Sequence, residues 1–167
     1  MERNVQQRVK HGGGKVMVWG CMTSRGFGCL IRIEGNMDAV QYCQVLDEGL
    51  IGTLADLDID HNSVYFQQDN DPKHTSRRAK AWLAKNRFHV LPWPAMSPDL
   101  SPIENAWHQL QANYNHREHR AHNEDELFEI LEEEWGKLSL EYCTKLYESM
   151  PRRIAKMMNN KGKWSGY

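Results

Sequence analysis

Between residues 63 and 91, two short apolar runs, Ser63-Val64-Tyr65-Phe66 and Phe88–Leu91, flank a stretch of helical periodicity. Runs this short, bounded by polar residues, suit buried strands better than helices. The stretch between them opens at Asp71-Pro72, which reads as an N-cap followed by proline at the first helical position. The helix it starts turns Ala79, Trp82 and Leu83 to one side. Strand, helix and strand in that order call for an α/β layer structure. Upstream, Lys15–Thr23 and Phe27–Glu34 are β-prone, and Ser24-Arg25-Gly26 between them suits a hairpin turn. From Asp38 to about Leu57, apolar residues at Val40, Cys43, Leu46, Leu50 and Leu54 recur at helical spacing, with Asp38 as N-cap. After the proline-rich loop Pro92–Pro102, a helix from Ser101 or Pro102 presents Ile103, Trp107, Leu110 and Tyr114. Two further stripes follow, Leu127/Ile130/Leu131/Trp135 and Leu140/Cys143/Leu146/Tyr147. The expected order is strand, strand, helix, strand, helix, strand and then a helical layer.

Residues 1–167 have room for one domain, and no internal repeat or interdomain linker divides them. No run of about 18 apolar residues exists and the start lacks a signal-peptide core, so an intracellular protein with no membrane partner is expected. Cys21, Cys29, Cys43 and Cys143 are scattered without a C-x-x-C pair and read as reduced, mostly buried thiols. His116, His119 and His122 in HREHRAH invite a metal, but a solvated helix end or loop is the better reading of that string.

A net charge of −1 excludes an obligate polycation. Charge is nevertheless unevenly distributed. Arg77, Arg78, Lys80, Lys85 and Arg87 cluster in one segment, and Arg152, Arg153, Lys156, Lys161 and Lys163 fill an acid-free tail. Between them Glu124–Glu134 carries no basic residue. This pattern fits either a basic face for phosphates or ordinary exposed helix faces.

Two acids occupy positions where α/β sites assemble. Asp69 follows the Val64–Phe66 strand, and Glu104 falls in the first turn of the helix after the proline-rich loop. Carboxylates so placed suit Mg²⁺, a hard cation that prefers oxygen ligands. The same residues also fit helix-entry chemistry: Ser101-Pro102-Ile103-Glu104 is a capping-box pattern, and a capping carboxylate cannot fully serve a metal at the same time. Local chemistry leaves both readings open.

Longer strings go further. VYFQQDNDPKHTS (64–76) and WPAMSPDLSPIENAW (93–107) resemble the two signature segments of Tc/mariner-superfamily transposases. Asp69 and Glu104 are separated by 34 residues (70–103), the spacing between the second and third acids in the Tc-like branch. KHGGGKVMVWGCM (10–22), GNMDAVQYCQVL (35–46) and YCTKLYESMPRRIAKMMNNKG (142–162) also resemble that family, in its order.

The resemblance implies a ribonuclease-H-like fold, a mixed sheet with flanking helices, whose three acids hold two Mg²⁺ or Mn²⁺ ions. It implies cleavage of DNA at the ends of a mobile element and joining of the freed 3′-ends to target DNA, in the nucleus of a eukaryotic host. By the match Asp69 is the second acid and Glu104 the third, both catalytic and metal-binding. Asn70, His74, Pro98, Asp99, Pro102 and Asn105 belong to the same signatures in supporting roles, while Lys73, His74, Arg77, Arg78, Arg152 and Arg153 are the expected DNA-facing residues. Ser101 stands where asparagine is usual, and Ala95 and Met96 depart from the usual loop.

The family's first acid and its strand lie upstream of the glycines matched here by Gly12–Gly14, and MERNVQQRV shows neither the apolar pattern nor the aspartate. The expectation is a partial catalytic domain lacking that central strand and the helix-turn-helix regions, with Asp69 and Glu104 binding at most one ion weakly. Its expected partners are transposon-end and target DNA, and itself or a full-length transposase. The alternative is a catalytically inactive remnant that binds DNA or transposase.

Overall fold

The computed structural model describes residues 15–94, 97 and 100–159. It opens with an antiparallel hairpin, β1 (Met17–Thr23) and β2 (Gly26–Ile33), whose register runs from Met17↔Ile33 to Thr23↔Gly26. Ser24 and Arg25 form the turn, Thr23 Oγ1 accepts the Arg25 N–H at 3.0 Å, and Gly26 sits at φ +145°, a conformation that favours glycine.

A helical stretch follows. α1 (Ala39–Val45) runs through a π-helical segment, Leu46–Ile51, into α2 (Gly52–Asp56). Asp38 caps it as expected, its carboxylate accepting the N–H groups of Val40 and Gln41 at 2.8 Å each. The π segment places Gly49 flat on β1 and β2. A Cβ there would lie 2.4 Å from the Trp19 ring and 2.8 Å from Ile31 Cδ1, so only glycine fits without a shift.

Next come β3 (Tyr65–Phe66), α3 (Arg77–Lys85) and β4 (His89–Val90), with β4 parallel to β3. α3 begins later than the sequence suggests. Asp71 does not open it; the cap is Ser76, whose Oγ accepts the Ala79 N–H at 3.1 Å. The reason lies in Asp71 itself, whose side chain takes the Lys73 N–H at 3.0 Å while its carbonyl takes those of His74 and Thr75 at 3.0 Å each, closing a separate turn. The remaining elements are α4 (Pro102–His116), α5 (Glu124–Gly136), α6 (Leu140–Glu148) and α7 (Met150–Asn159).

The hairpin is the middle layer, its faces set by the two-residue period of strands. Val16, Val18 and Leu30 face α4 and α5, packing with Ala106, Leu110, Tyr114, Leu127, Leu131 and Trp135. Trp19, Cys21 and Ile33 face the other way, onto Tyr42, Leu46, Leu50 and Leu54 with Phe66, Leu83 and Phe88 beyond. Leu46, Leu110, Leu127 and Leu131 are fully buried, each contributing about 1.5–3 kcal/mol by leaving water. Trp135 stacks on Trp107 at 4.6 Å and donates its indole N–H to Gly28 O at 2.7 Å, fastening α5 to β2.

The sheet is mixed but comes in two pairs, β1-β2 and β3-β4, and among the described residues no hydrogen-bonded strand joins β1 to β3. All four cysteines are free, as expected, although Cys29 is exposed. Burial pushes the Cys21 thiol up to about 12, against the pull of the Thr53 hydroxyl. No helix among the described residues is long and apolar enough to cross a membrane.

Candidate functional site

The parallel pairing Tyr65↔His89 and Phe66↔Val90 makes the chain leave β3 and β4 at the same end. Leu91 N–H continues the ladder onto Phe66 O at 2.9 Å. The two exits are tied again further out, where Asn70 Nδ2 donates to Trp93 O at 2.9 Å. Asp69 lies on the first exit. The second, through the proline-rich loop, leads to α4 and Glu104.

Asp69 is tightly held. Its Oδ1 accepts the Asp71 N–H at 2.9 Å and lies 2.6 Å from His74 Nδ1. The His74 imidazole is 2% exposed and lies against Tyr42 with ring centroids 4.1 Å apart. Tyr42 donates its hydroxyl to Gln68 Oε1 at 2.6 Å, and Gln68 Nε2 donates to His74 O at 3.1 Å, closing a loop of bonds around Asp69. Burial alone would raise the Asp69 carboxyl, but the hydrogen bonds from His74 and the Asp71 amide outweigh it and hold the group down at about 2. At neutral pH Asp69 is therefore an oriented anion with its side chain still 23% exposed.

Glu104 sits in the first turn of α4, behind Pro102 at the helix start. Ser101, the N-cap, makes no side-chain cap bond, and Glu104 N–H goes instead to the Ser101 carbonyl at 3.2 Å. The serine half of the expected capping box is thus not formed. The neighbouring Asn105 is clamped from the C-terminal helices: Arg153 Nη2 donates to its Oδ1 at 2.9 Å, and Tyr142 Oη to its carbonyl at 3.0 Å. Arg153 is 4% exposed and also donates from Nε to Ser149 Oγ at 2.7 Å.

The residues expected to face DNA divide into two groups. Arg77 and Arg78 are exposed at the start of α3, and Arg152 is exposed on α7. With Cys43, Ala81, Trp82 and Lys85, Arg77 and Arg78 line a groove of about 570 Å³. Lys73 is partly withdrawn, its Nζ 2.9 Å from Asp71 Oδ2. His74 and Arg153 lie apart from these: both are buried, bonded to Asp69 and Asn105 respectively. Pro98 and Asp99, and the loop departures Ala95 and Met96, lie outside the described residues. Sequence reasoning missed Tyr42, Gln68 and Tyr142. All three lie within the strings 35–46, 64–76 and 142–162, but nothing local in those strings sets them apart as partners of the two acids.

Residues 2–128 match the family described as DDE superfamily endonuclease. Over 154 residues, 92% of this chain, the sequence is 43% identical to the Tc1 transposable-element transposase of Caenorhabditis elegans. It is 42% identical over 154 residues to the Tcb1 transposase of Caenorhabditis briggsae. The chain spans 55% of the length of each of those two relatives. In three dimensions it is similar to the catalytic domain of the Mos1 mariner transposase, with a TM-score of 0.79 at 24% identity, covering 95% of this chain and 79% of that one. The Mos1 catalytic domain solved with raltegravir and Mg superposes with a TM-score of 0.74 at 25% identity, covering 90% of this chain and 77% of that one. The ribonuclease-H-like fold expected from the sequence is therefore present, and the chain belongs to the DDE superfamily endonucleases, with Tc/mariner transposases as the relatives it resembles.

Proposed function

We propose that Asp69 and Glu104 are metal-binding carboxylates of a DNA-cleaving and strand-joining site, and that DNA, as transposon ends and as target, is the partner. The observation that carries this reading is Asp69 at the shared exit of β3 and β4, held as an anion by His74 and the Asp71 amide. Oriented, ionised oxygen donors with some solvent access are what Mg²⁺ or Mn²⁺ takes as ligands. Solved Mos1 structures include the catalytic domain with Mg, a paired-end complex with Mn and a strand transfer complex, which supports the same metals and partner here.

Asp69 and Glu104 would hold the ion, which when bound activates the attacking oxygen and steadies the leaving one. The chain's own residues do the positioning. His74 and the Asp71 N–H fix the Asp69 carboxylate, and Tyr42 and Gln68 fix His74. Arg153 and Tyr142 fix the start of α4, which carries Glu104. Arg77, Arg78 and Lys85 present positive charge along the α3 groove, where a phosphate backbone would be neutralised.

A second reading has the chain bind without cutting. On it Asp69 and Glu104 hold one ion weakly and these residues do not cut DNA by themselves. They then act as a DNA-binding or transposase-binding protein. A nicking assay on supercoiled plasmid with Mg²⁺ or Mn²⁺ separates the two. Nicking that disappears in Asp69→Ala supports the active site; no nicking, with plasmid binding retained, supports the binding protein.

A further inference from the structure

The connection between α4 and α5 gathers three metal-ligating side chains from outside the site described above. His119 Nε2 lies 2.6 Å from Glu126 Oε1. The His119 and His122 rings meet edge-on with centroids 5.3 Å apart. One donor atom from each of His119, His122 and Glu126 falls within 4.8 Å of the other two. We infer that His119, His122 and Glu126 form a binding site for a borderline transition-metal ion such as Zn²⁺.

The donor set argues for the class of ion. Two imidazoles and one carboxylate suit Zn²⁺, whereas Mg²⁺ prefers oxygen alone. Around a tetrahedral ion with bonds of about 2.0–2.1 Å, donor atoms stand roughly 3.3 Å apart. The three atoms reach that spacing by rotating exposed histidine side chains, and the ion takes the place of the proton between His119 Nε2 and Glu126 Oε1. The fourth position opens to solvent, since the His119 side chain is 58% exposed.

The surroundings hold the ligands in place. Glu126 Oε2 accepts the His122 backbone N–H at 2.6 Å, which orients the carboxylate and leaves Oε1 to face His119. The Glu126 N–H donates to Asn123 Oδ1 at 2.8 Å, fixing the helix start on which the glutamate stands. Arg120 donates to Tyr114 O at 3.0 Å and Asn115 O at 2.8 Å, pinning the loop between the two histidines to the end of α4. The HREHRAH string is indeed a solvent-exposed connection, as its sequence suggests. Its third ligand comes from the first turn of α5, where the spacing of the string does not point.

The test is a titration of the full chain with ZnCl₂ against a chromophoric chelator, repeated on His122→Ala and Glu126→Gln. The expected result is one saturable equivalent in the parent chain, unmoved by millimolar Mg²⁺ and weakened about tenfold or more in each variant. His122→Ala is the decisive variant, because the His122 ring carries none of the described hydrogen bonds and its removal should leave the metal-free melting temperature unchanged. Absence of saturable Zn²⁺ binding in the parent would overturn the site. So would Zn²⁺ binding that survives in His122→Ala, or that is lost in Asp69→Ala instead.

Discussion

His74 Nδ1 lies 2.6 Å from Asp69 Oδ1, and the imidazole is 2% exposed while the Asp69 side chain is 23% exposed. A buried histidine thus serves as the rigid backing of a partly exposed acid. The arrangement orients one carboxylate oxygen without help from a metal, and it makes Asp69 a group whose protonation is linked to folding.

The sign of that linkage follows from the direction of the shift. Asp69 is depressed to about 2 in the fold, so its contribution is fully present above the ordinary carboxylate range and is lost as pH falls through that range towards 2. The size expected is about 1–2 kcal/mol, reduced from the full linkage value because the side chain is partly exposed. Urea denaturation of the parent and of Asp69→Asn at pH 6 and pH 2.5 measures it: the parent should lose more stability between the two pH values than the variant does.

Gly49 tests the packing of the π-helical segment on the hairpin. A methyl group there meets the rigid Trp19 ring at 2.4 Å, so Gly49→Ala should destabilise the chain by about 1–3 kcal/mol. Gly52 is the control, because a methyl group at that position would have nothing within 4 Å of it. Gly52→Ala should therefore be neutral or slightly stabilising. Parallel chemical denaturation of the two variants checks the contrast.

Arg153 and the Arg77/Arg78 pair separate structural from surface charge. Removing the buried Arg153 side chain leaves Asn105 Oδ1 and Ser149 Oγ without its hydrogen bonds, at a cost of about 2–4 kcal/mol. Arg77→Ala/Arg78→Ala should change stability by less than about 1 kcal/mol, because both side chains are exposed. The double variant should instead lower the slope of log affinity for duplex DNA against log salt by roughly 2. Thermal melts and a salt series of DNA-binding titrations read the two effects independently.

Much of this architecture is legible in the amino-acid sequence. The hairpin, the Asp38 cap, the short strands and the inward stripe of α5 follow from periodicity and capping chemistry, which are local. The start of α3 is not legible in the same way, because Asp71 satisfies the N–H groups of its own turn as readily as those of a helix, and only the fold decides between the two. The burial of His74 and Arg153 is hidden for a different reason. Each lies in a basic segment, and charge alone does not reveal that Asp69 and Asn105 wait behind it. Glu126 escapes notice beside the histidines because its approach depends on how the connection after α4 folds back onto the first turn of α5.

A shared ion is tested most directly by Mn²⁺ binding followed by electron paramagnetic resonance, in the parent, Asp69→Ala, Glu104→Ala and the double variant, all carrying His122→Ala to silence the surface histidines. If Asp69 and Glu104 share one ion, each single substitution should weaken Mn²⁺ binding about tenfold or more, and the double variant should be hardly weaker than either, since a shared ion couples the two losses. Mn²⁺ affinity that is unchanged in either single variant, or two losses that simply add, would contradict a common metal site.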